Sequence, residues 1–248
     1  MTLRIYLGPS LSVAEAQAIL PGDYAPPAKL GDIYRAVARD GAEAIALIDG
    51  LFENTAAVWH KEILWALDQG VPVYGAASMG ALRAVELAPF GMVGIGKIFS
   101  AYKAGRYEPF EDSFEGDDEV AVIHGPSEAA RYSSLALVDL RESLNLASRS
   151  GIIGRRLRDQ ILKRAQQTYY KERTLREIET WAREQSPEGE AFAEWLPAGF
   201  VSQKRRDAIS LLNHLAGQTT PSPRPSFQFE WTAQWQRFVE AMDARGFD

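Results

Sequence analysis

The sequence predicts an α/β fold, a mostly parallel sheet with flanking helices, followed by a mainly α-helical C-terminal part. Three observations predict it. Through the first half, short apolar runs alternate with segments of helical character, the order a parallel sheet with crossover helices requires. The run Ala44-Ile45-Ala46-Leu47-Ile48 is continuously apolar, as a strand buried on both faces must be. From about Arg131 onward helix-favouring residues dominate.

Taken in order, Leu3 to Leu7 reads as the first strand and stops at the turn cluster Gly8-Pro9-Ser10. Ser12-Val13-Ala14-Glu15 has capping-box spacing and opens a helix that Pro21-Gly22 ends. Tyr24-Ala25-Pro26-Pro27 is extended, because each proline fixes its own φ and restricts its predecessor. Asp32 is expected to cap the next helix, which runs to Asp40-Gly41, and Asp49-Gly50 terminates the strand that follows. Thr55 to Asp68 is expected to be helical, with Trp59, Ile63 and Leu67 on one line and Gly70 beyond its end. Val71 to Tyr74 forms a third strand, Met79 to Ala88 an almost wholly apolar helix, and Val120 to Ile123 a fourth strand-like run. Glu108 to Glu119 is an acidic loop. Arg155 to Arg176 carries eight bases against Asp159 and Glu172, a basic helical stretch. A Pro-rich segment, 219–226, precedes Trp231, Trp235, Phe238 and Met242 at helical spacing, a last helix expected to dock back. The expected division is an α/β core at 1–140, a helical extension at 141–218, and a linker with docking helix at 219–248.

Composition narrows the function. In 248 residues, 33 acids against 27 bases leave a net charge of −6, which argues against a nucleic-acid or anionic-membrane protein. No apolar run is long enough to span a bilayer and no signal-peptide core is visible, so a cytoplasmic location is expected. The absence of cysteine removes disulfides, thiolate metal sites, a cysteine nucleophile and any persulfide carried on the chain. The histidines His60, His124 and His214 lack zincin spacing, so neither a zinc site nor a cofactor is expected, while a Mg²⁺ site built from acids stays open.

In open parallel sheets ligands bind beyond the carboxyl ends of the strands. There the sequence places Gly8 and Ser10, then Asp49, then Ser78, then His124. Tyr74 to Arg83 reads as strand, tight turn, serine, helix, resembling a nucleophile elbow in which Ala76 and Gly80 flank Ser78. In that geometry the Met79 N–H would face a developing oxyanion. The competing reading makes Ser78 an ordinary helix cap, with the small residues serving close packing. A serine nucleophile needs a base, for which His60, Lys61 and His124 are available. His60 can equally be a hydrogen-bonded core residue, His124 and Asp49 turn residues, and Arg83 with Glu86 a partly buried pair instead of an anion site.

His60-Lys61-Glu62-Ile63-Leu64, Gly75-Ala76-Ala77-Ser78-Met79-Gly80-Ala81-Leu82-Arg83-Ala84-Val85-Glu86-Leu87, Phe90-Gly91-Met92 with Gly94 and Gly96, and Asp118-Glu119-Val120-Ala121-Val122 followed by His124-Gly125-Pro126 together resemble the TfuA-like protein family. Gly8-Pro9-Ser10 and the run from Val201 to Ala208 agree with it as outlying pieces. The resemblance implies a protein that works beside a YcaO-type enzyme, which uses ATP to activate a peptide amide oxygen so that sulfur replaces it. It further implies hydrolysis of the C-terminal thiocarboxylate of a ThiS-like sulfur carrier, with the sulfide passed on and a precursor peptide as a further partner. Carried onto this chain, the resemblance selects Ser78, His60, Lys61 and His124 as catalytic residues. Gly8, Ser10, Asp49, Met79, Gly80 and Arg83 are the expected substrate-binding residues. A non-catalytic partner that docks on and activates YcaO is the alternative, and a free-standing serine esterase a third.

Overall fold

The computed structural model describes residues 2–51, 55–123, 134–217 and 227–244. Its centre is a five-stranded parallel sheet of β1 (Leu3–Tyr6), β2 (Asp23–Ala25), β3 (Ala44–Leu47), β4 (Val73–Gly75) and β5 (Val93–Gly94) in the order β2-β1-β3-β4-β5. From β1 the chain crosses to one edge, then returns to lay β3 on the other side. The switch point of the sheet therefore lies between the carboxyl ends of β1 and β3, the place where open parallel sheets bind ligands.

Side chains of a strand alternate between faces, and this alternation sorts the core. Tyr6, Ile45, Leu47 and Val73 face α2 (Asp32–Ala38), α3 (His60–Asp68) and α4 (Met79–Leu87). Ile5, Leu7, Ala46, Ile48 and Tyr74 face α1 (Val13–Ile19) and α10 (Gln203–Ala216). A third cluster holds α5 (Lys97–Ala104), which touches both α4 and α10, and the helical part, α6 (Leu137–Arg149), α7 (Arg155–Gln167), α8 (Leu175–Gln185) and α9 (Pro187–Gly199), packed with Phe110, Phe114 and Val120. The last helix, α11 (Ala233–Ala244), docks on α2 and α3: Trp235, fully buried, meets Trp59, Trp65, Tyr34 and Phe238.

Local signals place several ends. Ser12 accepts from the Glu15 N–H and Glu15 reaches back to Ser12, so the expected capping box is present at α1. Gly31, at φ 93°, is the N-cap of α2, while Asp32 stands inside the helix and accepts instead from the Lys29 N–H. Glu62, fully buried, accepts from Gly31, Tyr34 and Trp59 N–H groups and so serves the starts of α2 and α3 at once.

Two expectations about elements are corrected. The helix expected from Thr55 starts at His60, because the Ala56 carbonyl is drawn to the Leu30 N–H and Trp59 is extended at φ −83°, ψ 135°. Val120 to Ile123 is no strand. Val120 ends a 3₁₀ turn (Asp117–Glu119), its carbonyl accepts from Lys204 Nζ, and the Ile123 N–H donates to Ser134 Oγ. The two edge strands of the sheet are instead Asp23–Ala25 and Val93–Gly94. Among the described residues, no helix is long and apolar enough to cross a membrane.

Candidate functional site

The polar residues at the ends of β1 and β3 form one unit. Asp49, almost wholly buried, accepts at Oδ2 from the Gly8 N–H (2.9 Å) and the Ser10 N–H (3.1 Å), and at Oδ1 from Ser10 Oγ (2.7 Å). A carboxylate removed from water needs such donors, and here they fold the loop after β1 over the end of β3.

The turn after β4 adjoins it. The Ser78 N–H donates to the Ala76 carbonyl (2.8 Å), closing a three-residue turn around Ala77 at φ 66°. A β-carbon disfavours that conformation, so the turn stores strain of about 1–3 kcal/mol. Ser78 stands before α4 at φ −123°, ψ −121° and its hydroxyl does not cap the helix. The Met79 N–H has no backbone acceptor among the described residues, whereas the Gly80 N–H donates to the Ile48 carbonyl (3.3 Å). Close packing fixes this bend: a β-carbon at Gly80 would lie 1.7 Å from the Leu47 carbonyl oxygen, and one at Gly50 2.7 Å from Met79 Cγ. The start of α4 thus presses on the residues that carry Asp49.

The other residues expected at the site stand in two separate groups. His60 Nε2 lies 2.7 Å from Glu86 Oε2, which also accepts from Arg83 Nη1 (2.8 Å), and Arg83 Nε donates to the Val58 carbonyl. Glu86 follows Ser78 by eight residues, about 12 Å along a helix. Lys61 Nζ donates to Thr232 Oγ1 (3.1 Å) and lies over the Phe229 ring, within the C-terminal segment. Among the described residues, neither His60 nor Lys61 is hydrogen-bonded to Ser78. His124 lies outside the described residues. The acids Asp112, Asp118 and Glu119 are occupied by Arg141 and Arg173, and no cluster of potential metal ligands occurs among the described residues.

Three fully buried cations, Arg141, Arg173 and Lys204, went unrecognised in the sequence. Lys204 is fully buried and donates from Nζ to the Val120 carbonyl (2.8 Å), while its N–H donates to Asp139 Oδ1 (3.0 Å). Burial pulls its ammonium below the usual lysine range, and the charges of Asp49 and Asp139 act against that pull. The signal was available: Lys204, Ala208, Leu211 and Leu215 recur at helical spacing, so this lysine sits on the apolar stripe of its helix.

The fold and the strand-end residues define an α/β protein with a parallel sheet and a serine presented where a strand bends into a helix. The family model for TfuA-like proteins matches residues 49–174, just over half of the chain, and the chain belongs to that family. Among curated proteins none matches it.

Proposed function

We propose that this protein supplies sulfur to a YcaO-type enzyme in peptide backbone thioamidation by hydrolysing the C-terminal thiocarboxylate of a ThiS-like carrier protein. Membership in the TfuA-like family implies the YcaO association. The observation that carries the hydrolytic reading is the strained turn that delivers Ser78 to the head of α4 with its hydroxyl unused as a cap.

The reaction is acyl transfer to water: a thiocarboxylate and water give a carboxylate and hydrogen sulfide. In the covalent route, Ser78 Oγ adds to the carbonyl carbon as its proton passes to a base, the Met79 N–H stabilises the oxyanion, and collapse breaks the C–S bond. Water then attacks the ester and regenerates the serine. In the direct route, water adds to the same carbon and Ser78 orients it. As the C–S bond breaks, the base returns the proton it removed to the sulfur, which departs as HS⁻; unprotonated, it would have to leave as S²⁻, a poor leaving group. His60, Lys61 and His124 are the candidate bases. Without cysteine the chain carries no persulfide, so sulfur leaves as sulfide or passes straight to the acceptor.

A second reading, a non-catalytic partner that docks on and activates YcaO, is favoured by the 5% exposure of Ser78. Sulfide release from a thiocarboxylated ThiS-like carrier separates the two. Ser78→Ala, matched for folding by circular dichroism, is expected to lower the rate by on the order of 100-fold. The same assay on His60→Ala, Lys61→Ala and His124→Ala identifies the base. An undiminished rate for Ser78→Ala would remove Ser78 from the chemistry, and no sulfide release by the native protein above the carrier's spontaneous rate, with YcaO turnover still raised when free sulfide is added, would establish the docking reading instead.

A further inference from the structure

A groove of about 800 Å³ runs through the helical part, between one face of α7, the end of α6 and the loop 109–112. From α7 it takes Arg155, Arg158, Asp159, Leu162, Lys163 and Gln166, which share one side of the helix. That stripe is about 16 Å long, the span of roughly five residues of extended chain.

The charges in the groove are unequal. Arg158 pairs with Asp159 and lies 4.8 Å over the Phe110 ring, and Asp112 is taken by Arg141 and Gln166. Arg149, Arg155 and Lys163 are exposed, line the groove and form no ion pair among the described residues. Against these three cations stands Glu111, likewise unpaired there. Arg149 at the end of α6 and Arg155 at the start of α7 gather the surplus at one end, where the first N–H groups of α7 add positive potential.

We infer that this groove binds an extended acidic peptide segment of a partner protein, with its carboxylates on Arg149, Arg155 and Lys163. The length suits a strand-like peptide, and the paired side chains on the wall offer polar partners to its backbone. A continuous phosphate chain, charged at every residue, fits poorly on three separated unpaired cations with Glu111 among them. The inference is independent of the chemistry at Ser78.

Fluorescence anisotropy with the full chain tests it, using a labelled six-residue peptide alternating glutamate and leucine, its glutamine counterpart, and a single-stranded hexanucleotide. The acidic peptide is expected to bind saturably and more weakly as salt rises. The variant Arg149→Gln, Arg155→Gln, Lys163→Gln should weaken it at least tenfold, and the control Arg156→Gln, Arg183→Gln, Arg237→Gln should leave it unchanged. All six positions are exposed, and thermal melts check that both variants stay folded. The inference is overturned by equal binding of the glutamine peptide, by equal weakening in both variants, by tighter binding of the hexanucleotide, or by no saturable binding of the acidic peptide up to millimolar concentration.

Discussion

Ala77 holds a backbone angle that glycine would adopt freely, φ 66°, and the Ser78 N–H locks it there by bonding to Ala76. A left-handed L-residue costs about 1–2 kcal/mol, and glycine at the same place returns part of that through the freedom of the unfolded chain. Ala77→Gly is therefore expected to leave stability unchanged or raise it by up to about 1 kcal/mol in urea unfolding. If the methyl group stiffens the bend that aims Ser78, the same variant releases sulfide more slowly from the carrier. A loss of more than about 1 kcal/mol would show that the alanine side chain matters more through packing than through strain. Ser10 and Asp49 are legible in the sequence as strand-end residues, either substrate-binding or turn residues; their mutual hydrogen bonds depend on two strands being neighbours that lie about forty positions apart.

The docking of α11 rests on Trp235. Its ring is fully buried against Trp59, Trp65 and Phe238, while its Nε1–H finds no acceptor among the described residues. Trp235→Ala should cost about 3–5 kcal/mol or free the C-terminal segment altogether. Trp235→Phe should cost far less, because it keeps most of the ring and deletes a buried donor that is already unsatisfied. Chemical denaturation followed by far-ultraviolet circular dichroism measures both, and equal losses would contradict this account. Periodicity reveals that this helix exists and that Trp235 and Met242 are buried on it, but it wrongly includes Trp231, which precedes the helix and is 60% exposed. It misplaces the start of α3, since a tertiary hydrogen bond from Leu30 to Ala56 holds the preceding residues extended.

Across the molecule, α10 ties the helical part to the sheet. Asp207 accepts from the Lys97 and Ile98 N–H groups at the start of α5, and Asp139 of α6 accepts from the Lys204 N–H and Ser202 Oγ. Burial pushes the Asp139 carboxyl up to about 6 from its ordinary value near 4. The folded state thus holds a proton that the unfolded chain gives up, and the stability from this group is complete below pH 4. It is lost as the pH climbs through 6. In urea titrations at pH 4 to 7, Asp139→Asn should show a smaller fall in midpoint with rising pH than the native protein. Equal slopes would mean that the carboxyl is ionised throughout.

What the sequence determines by itself is local. The apolar run of β3, the capping box at Ser12 and Glu15, the strand–turn–helix passage around Ser78 and the missing cysteines are visible because each depends on neighbours along the chain. Tertiary structure decides the rest. The edge strands, of three and two residues, are too short to carry a pattern and exist through their ladder partners. The non-strand at Val120 is buried by side-chain packing without a sheet neighbour, a distinction an apolar run of four cannot express. His60 meets Glu86, Lys61 meets Thr232 and Lys204 enters the field of Asp49 only because separate helices are brought together. Hydrophobic period fixes which face of a helix is buried, but not which carboxylate or carbonyl waits on the other side of the interface.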